Sequence, residues 1–126
     1  MINNTLLNDI HKDAIAFFLG KLKNIDSISQ KLNVSLNDLL QQINSSTIVV
    51  ENTPYYCIIK FYHNGVYESF HDTVIEIQVI RKNAAPTVLH MYLLNNTIYE
   101  FEYFIGDSSK MSNQELFIGD VAIKIY

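Results

Sequence analysis

Four histidines, one cysteine and two glutamates set one residue apart are the side chains of this 126-residue sequence best suited to chemistry. A metal site would call for closely spaced ligands, such as two histidines separated by three residues on one helix face. His11, His63, His71 and His90 form no such pair, and no metal site is expected. Cys57, His71 and Asp72 supply the residue types of a nucleophile, a base and an orienting group. Cys57 lies inside an apolar run, however, with no strand-to-helix elbow and no glycine-rich neighbourhood, so the sequence predicts a buried structural thiol. Glu100 and Glu102 would project from one face of one strand about 7 Å apart, a separation that inverting glycoside hydrolases use. No aromatic-lined cleft is implied beside them, and the alternation reads as the solvated face of a half-buried strand. There is no P-loop and no Gly-x-Gly-x-x-Gly, and four glycines are too few for a phosphate cradle. The sequence therefore predicts no catalytic residue, no cofactor and no enzyme activity.

The elements that position these side chains follow from periodicity. Leu6, Leu7, Ile10, Ala14, Phe17 and Phe18 recur at helical spacing. They predict a helix over 5–19, running on towards Lys23, capped by Asn4 or Thr5 and ending near Gly20. A short helix is predicted over 25–32. Ser35-Leu36-Asn37-Asp38 resembles a capping box and opens a third helix over 36–43, with Leu36, Leu39, Leu40 and Ile43 as its buried stripe.

After Ser46 the period changes from helical to alternating. Strands are predicted over 47–51, 55–62, 66–70, 73–81 and 121–126, together with a pair within 86–107 joined by a tight turn at Asn95-Asn96. The 55–62 strand is mostly apolar and predicted to be central. His63-Asn64-Gly65 marks a hairpin that should return as the 66–70 strand. Ile75, Ile77 and Val79 are placed inward, as are Val121, Ile123 and Ile125. In the last strand of the 86–107 pair, Tyr99, Phe101, Tyr103 and Ile105 are placed on one face and Glu100 and Glu102 on the other. Helices followed by hairpin-linked strands predict a single α+β domain over 1–126. Its N-terminal helices, 1–45, pack on one face of a mostly antiparallel sheet formed by 46–126.

Apolar residues make up 48% of the chain, enough for a core without staples, and a single cysteine precludes an internal disulfide. The net charge of −4 argues against sequence-independent nucleic-acid binding, which needs a basic face. No apolar run approaches the roughly 20 residues that span a bilayer, and the acidic start does not read as a signal peptide. A cytoplasmic protein with no membrane and no nucleic-acid partner is expected, and homo-oligomers are compatible with the sequence. The segment 25–43 also looks like part of a repressor-type helix-turn-helix, with Leu32, Val34 and Leu39 packing around the turn. A small DNA-binding regulator is therefore the alternative reading, although the third helix offers Asn37, Gln41 and Gln42 but no basic residue.

Residues 86–107, and above all Ile98-Tyr99-Glu100-Phe101-Glu102-Tyr103-Phe104-Ile105-Gly106-Asp107-Ser108-Ser109, resemble a pattern in small bacterial proteins. There, an apolar strand, a turn and a Glu-apolar-Glu strand close a compact α+β domain. Several of those proteins are similar to immunity proteins encoded beside secreted antibacterial toxins. This chain has Asn95-Asn96 where a glycine-containing turn is usual and Ser109 where glycine is usual. The resemblance implies a non-enzymatic protein that binds and neutralises a cognate toxin. Glu76, Glu100 and Glu102, with Asp107 at the sheet's end, are the expected partner-binding residues.

Overall fold

In a computed structural model, residues 1–23, 32–52, 56–81, 85–104 and 117–126 are described. They form two helices and six strands: α1 (Asp9–Lys23), α2 (Leu36–Ser45), β1 (Thr47–Asn52), β2 (Tyr56–Tyr62), β3 (Thr73–Ile80), β4 (Thr87–Leu94), β5 (Thr97–Phe104) and β6 (Asp120–Ile125). The strands make one sheet in the order β1-β2-β5-β4-β3-β6 with every neighbouring pair antiparallel. This is the expected α+β architecture. Residues 25–31 of the predicted 25–32 helix, together with Ile105 and Asp107, lie outside the described residues.

The hairpin β4–β5 is the central pair of the sheet. Its turn residues Asn95 and Asn96 both take positive φ, 50° and 65°. A two-residue turn of that hand matches the right-handed strand twist, and asparagine tolerates it. β2 is internal, between β1 and β5, as its apolar character predicted. One face of the sheet holds Cys57, Ile59, Phe61, Ile75, Ile77, Val79, Leu89, Met91, Leu93, Ile98, Phe101 and Tyr103, all buried. The helices cover this face. Phe18 of α1 meets Phe101 edge-on at 5.3 Å, and Ala14, Ile15, Leu22, Leu39 and Ile43 fill the space around them. Val121, Ile123 and Ile125 pack against the same core from the edge strand β6.

Helix α2 begins as predicted, with the Ser35 hydroxyl accepting from the Asp38 amide at 3.1 Å. Helix α1 does not. It starts at Asp9, where the Asn8 side chain accepts from the His11 amide at 3.0 Å. Asn4, the expected cap, is buried instead and donates to the carbonyls of Ile43 and Ser46 at 2.8 and 2.9 Å. That tertiary use ties the N-terminal segment to the end of α2 and leaves Leu6 outside the helix and 58% exposed. Gly20 does not end the helix, because one further turn buries Leu22.

The turn at Asn64 (φ 52°) and Gly65 (φ 79°) forms as expected, but it closes only a single bridge, His63 with Val66. The predicted 66–70 strand is absent. β2 already has β1 and β5 as neighbours, so no free edge remains for a returning strand. The chain instead crosses over the sheet face opposite the helices to reach β3.

Candidate functional site

Outward side chains of the strands form a face that neither helix covers. Strand register aligns them in rows across the sheet. The middle row runs Glu51, Ile58, Glu102, His90, Glu76, Lys124. Below it lie Val49, Lys60, Glu100, Tyr92 and Val74, with Tyr126 next to Val74. Above it lie Tyr56, Phe104, Val88, Gln78 and Ala122. Period-2 alternation explains the segregation, since the neighbours of these residues point into the core.

Three of the four expected partner-binding carboxylates, Glu76, Glu100 and Glu102, therefore share this face, and Asp107 lies outside the described residues. They are not simply solvated. His90 sits between two of them, with Nε2 2.9 Å from Glu76 and Nδ1 3.1 Å from Glu102. The Tyr92 hydroxyl donates to the same Glu102 oxygen, and Gln78 and Tyr126 donate to the other oxygen of Glu76 at 3.3 Å each. Hydrogen bonds from His90 hold both carboxyls below their usual range, while the two carboxylates, Glu102 foremost, raise the imidazole above its own. Burial, reinforced by Glu102, pushes the Tyr92 phenol up.

Glu100 has different company. It accepts from the Tyr67 hydroxyl at 2.8 Å and makes no ion pair among the described residues. Its cross-strand neighbour Lys60 turns to Glu51, at 2.9 Å, and lies 5.5 Å from the centre of the Tyr67 ring. Tyr67 belongs to the crossing segment and stacks on Tyr62 at 5.2 Å, with Tyr99 edge-on at 6.3 Å. Further along, His71 packs on Tyr92 at 4.8 Å.

Tyr99 corrects the expected alternation. β5 carries a bulge: Tyr92 pairs with Glu100, but Leu93 pairs with Ile98. Ile98 is thus the inward residue, and Tyr99 leaves the core to join the aromatic cluster. Strict alternation in the sequence gives no sign of the extra residue. The nearest signal is Ile98 itself, a β-branched apolar side chain two positions before Glu100 that needs burial as much as Tyr99 does.

The Cys57–His71–Asp72 grouping does not form, because Cys57 points into the core while His71 lies on the open face. The histidine that meets Cys57 is His11 of α1, with Nδ1 3.6 Å from Sγ and 2.7 Å from the Tyr103 hydroxyl. All three are buried. Burial pushes the thiol up to about 11 and the imidazole below its ordinary value. Thiol and imidazole are both neutral near pH 7, so this arrangement links the helix to the sheet rather than preparing a nucleophile.

Gln42, one of the polar residues of the predicted DNA-reading helix, is committed to the fold. Its amide donates to the Asn96 carbonyl at 3.0 Å, and its carbonyl accepts from the Ile98 amide at 2.7 Å. Among the described residues no group of three His, Cys, Asp or Glu side chains is arranged to hold a metal ion, and no helix is long and apolar enough to cross a membrane. The chain matches no protein-family model, no curated protein and no solved structure in comparisons with each.

Proposed function

We propose that the open face of the sheet is a protein-docking surface, and that the chain is an immunity protein that binds and neutralises a cognate bacterial toxin in the cytoplasm. The observation that carries this reading is where exposed apolar side chains gather. Val49, Ile80, Phe104 and Tyr126 are all at least 45% exposed and all point outward from this one face, with Val66 and Phe70 exposed on the segment that crosses it. Exposed apolar and aromatic groups gathered on one face and bordered by polar residues mark an interaction surface. Neutralisation of this kind requires no chemistry, only a tight and specific interface.

Within that surface the carboxylates have different parts. Glu76 and Glu102 are already offset by His90. Glu100, which has no ion pair among the described residues, has its charge available to steer a basic toxin surface. Duplex DNA is not the expected partner, since α2 carries exposed Asn37, Asp38 and Gln41 and no cation.

Co-expression tests this. Cells producing the toxin encoded beside this gene survive when the chain is present, and Phe104→Asp with Glu100→Lys removes the protection while the protein stays folded. Equal killing with and without abundant, folded wild-type protein sinks the immunity reading.

A further inference from the structure

His90 presents both ring nitrogens to carboxylate oxygens, at 2.9 Å to Glu76 and 3.1 Å to Glu102. A neutral imidazole has one N–H and one lone pair, so one of those two contacts would set a lone pair against an anion. The geometry is satisfied by an imidazolium that donates from both nitrogens. The centre of the open face is therefore a proton-binding site spanning three strands, β5, β4 and β3.

The charged and titratable groups around it come from all the described strands and the crossing segment; β1 and β2 contribute Glu51 and Lys60, paired with each other at 2.9 Å. β5 contributes Glu102 and, one row away, Glu100. β3 contributes Glu76, and β4 contributes Tyr92. β6 contributes Lys124, paired across from Glu76, and the chain end contributes Tyr126. The crossing segment contributes His71, stacked on Tyr92. Among the described residues carboxylates outnumber cations on this face, so a basic partner is drawn to it, yet its centre holds a positive charge that a docking cation must approach.

We infer that the open face is a proton-linked docking surface for a basic partner: seating the partner's cations beside Glu76 and Glu102 releases the proton of His90 to solvent, so affinity rises with pH. This rests on the docking reading above and adds its regulation. The partner's cations replace the imidazolium as counter-charge to the two carboxylates, and like-charge repulsion disfavours keeping both. At a separation near 8 Å in a largely aqueous setting, the repulsion makes binding about threefold tighter with His90 neutral. By reciprocity, partner binding lowers the proton affinity of His90 by the same factor, which releases a fraction of one proton.

Acetylated and amidated hexa-arginine serves as the probe. Calorimetric titration at one pH in two buffers of different ionisation enthalpy counts the protons released, and amide shifts map the contact. The expected result is shifts on β3, β4 and β5, a fraction of one proton released where His90 titrates, and affinity rising with pH by up to about threefold across that titration. His90→Gln should lose the proton release, whereas His71→Gln and His63→Gln should keep it. Shifts on the open face with no proton released, or with proton uptake, overturn the linkage and leave the docking reading intact. Shifts confined to the helical side, or no binding at millimolar peptide, overturn both. Should His90→Gln fail to fold, the wild-type proton count decides alone.

Discussion

The Tyr103 hydroxyl, carried on the middle of the sheet, lies 2.7 Å from Nδ1 of His11 on α1, and both side chains are buried. Each supplies the other's polar partner inside an otherwise apolar layer. Tyr103→Phe leaves an imidazole nitrogen without its partner, with only the Cys57 sulfur at 3.6 Å as a weak substitute. The expected loss is about 1–3 kcal/mol in denaturant unfolding at neutral pH. A loss below about 0.5 kcal/mol, less than a typical net hydrogen bond, would mean the pair contributes little beyond packing.

The two best-partnered histidines respond to pH with opposite sign. His11 has its folded value lowered by burial, so the unfolded chain takes up the proton first. Its contribution is complete above the unfolded value of roughly 6.5 and is lost as the pH falls below it. His90 has its folded value raised, chiefly by Glu102, so its contribution is complete below roughly 6.5 and is lost as the pH rises through the folded value. The lowered carboxyls of Glu76 and Glu102 add stability above the ordinary carboxyl range that is lost on acidification. Thermal melts of His90→Gln should therefore flatten the decline on the alkaline side of neutrality, and those of His11→Gln the decline on the acid side. Reversed assignments would show that the charge states are wrong.

Phe101 is fully buried, edge-on to Phe18. Phe101→Ala is expected to cost about 3–5 kcal/mol as a large-to-small change in a packed core. Tyr99→Ala, on the open face, should cost clearly less. Equal losses would place Tyr99 in the core and remove the bulge.

Gly119 precedes β6 at a point where an added Cβ would stand 2.5 Å from the Ile80 carbonyl oxygen and 3.0 Å from Val79. Both neighbours lie at the end of β3, the only strand among the described residues that β6 pairs with. Gly119→Ala should loosen β6, raising amide exchange at Val121 and Ile123 while β4 and β5 keep their protection. Unchanged exchange in β6 would mean that the chain relieves the clash without moving the strand.

Much of the site's raw material was legible in the sequence. Alternation placed Glu76, Glu100 and Glu102 outward, because a strand's side chains must alternate whatever it pairs with. The capping serine, the Asn95-Asn96 turn and the Asn64-Gly65 turn were equally readable, since each depends on a few adjacent residues. The 66–70 strand was not, because whether a segment becomes a strand depends on finding an open edge. Here β5, arriving thirty-odd residues later by the strand registers, takes the place beside β2.

Composition, helical and strand periods, and local caps and turns determined the α+β class and sorted most residues into inward and outward sets. Those signals arise from short-range sterics and from the need to bury apolar area. The tertiary structure decided which outward residues meet. The order β1-β2-β5-β4-β3-β6 sets Glu102 and Glu76 on either side of His90, bulges Tyr99 out of the core and brings His11 to Cys57 and Tyr103. None of these partners is near in sequence. Strand order and register follow from how the whole core packs at once, a sum over distant contacts that no local stretch encodes.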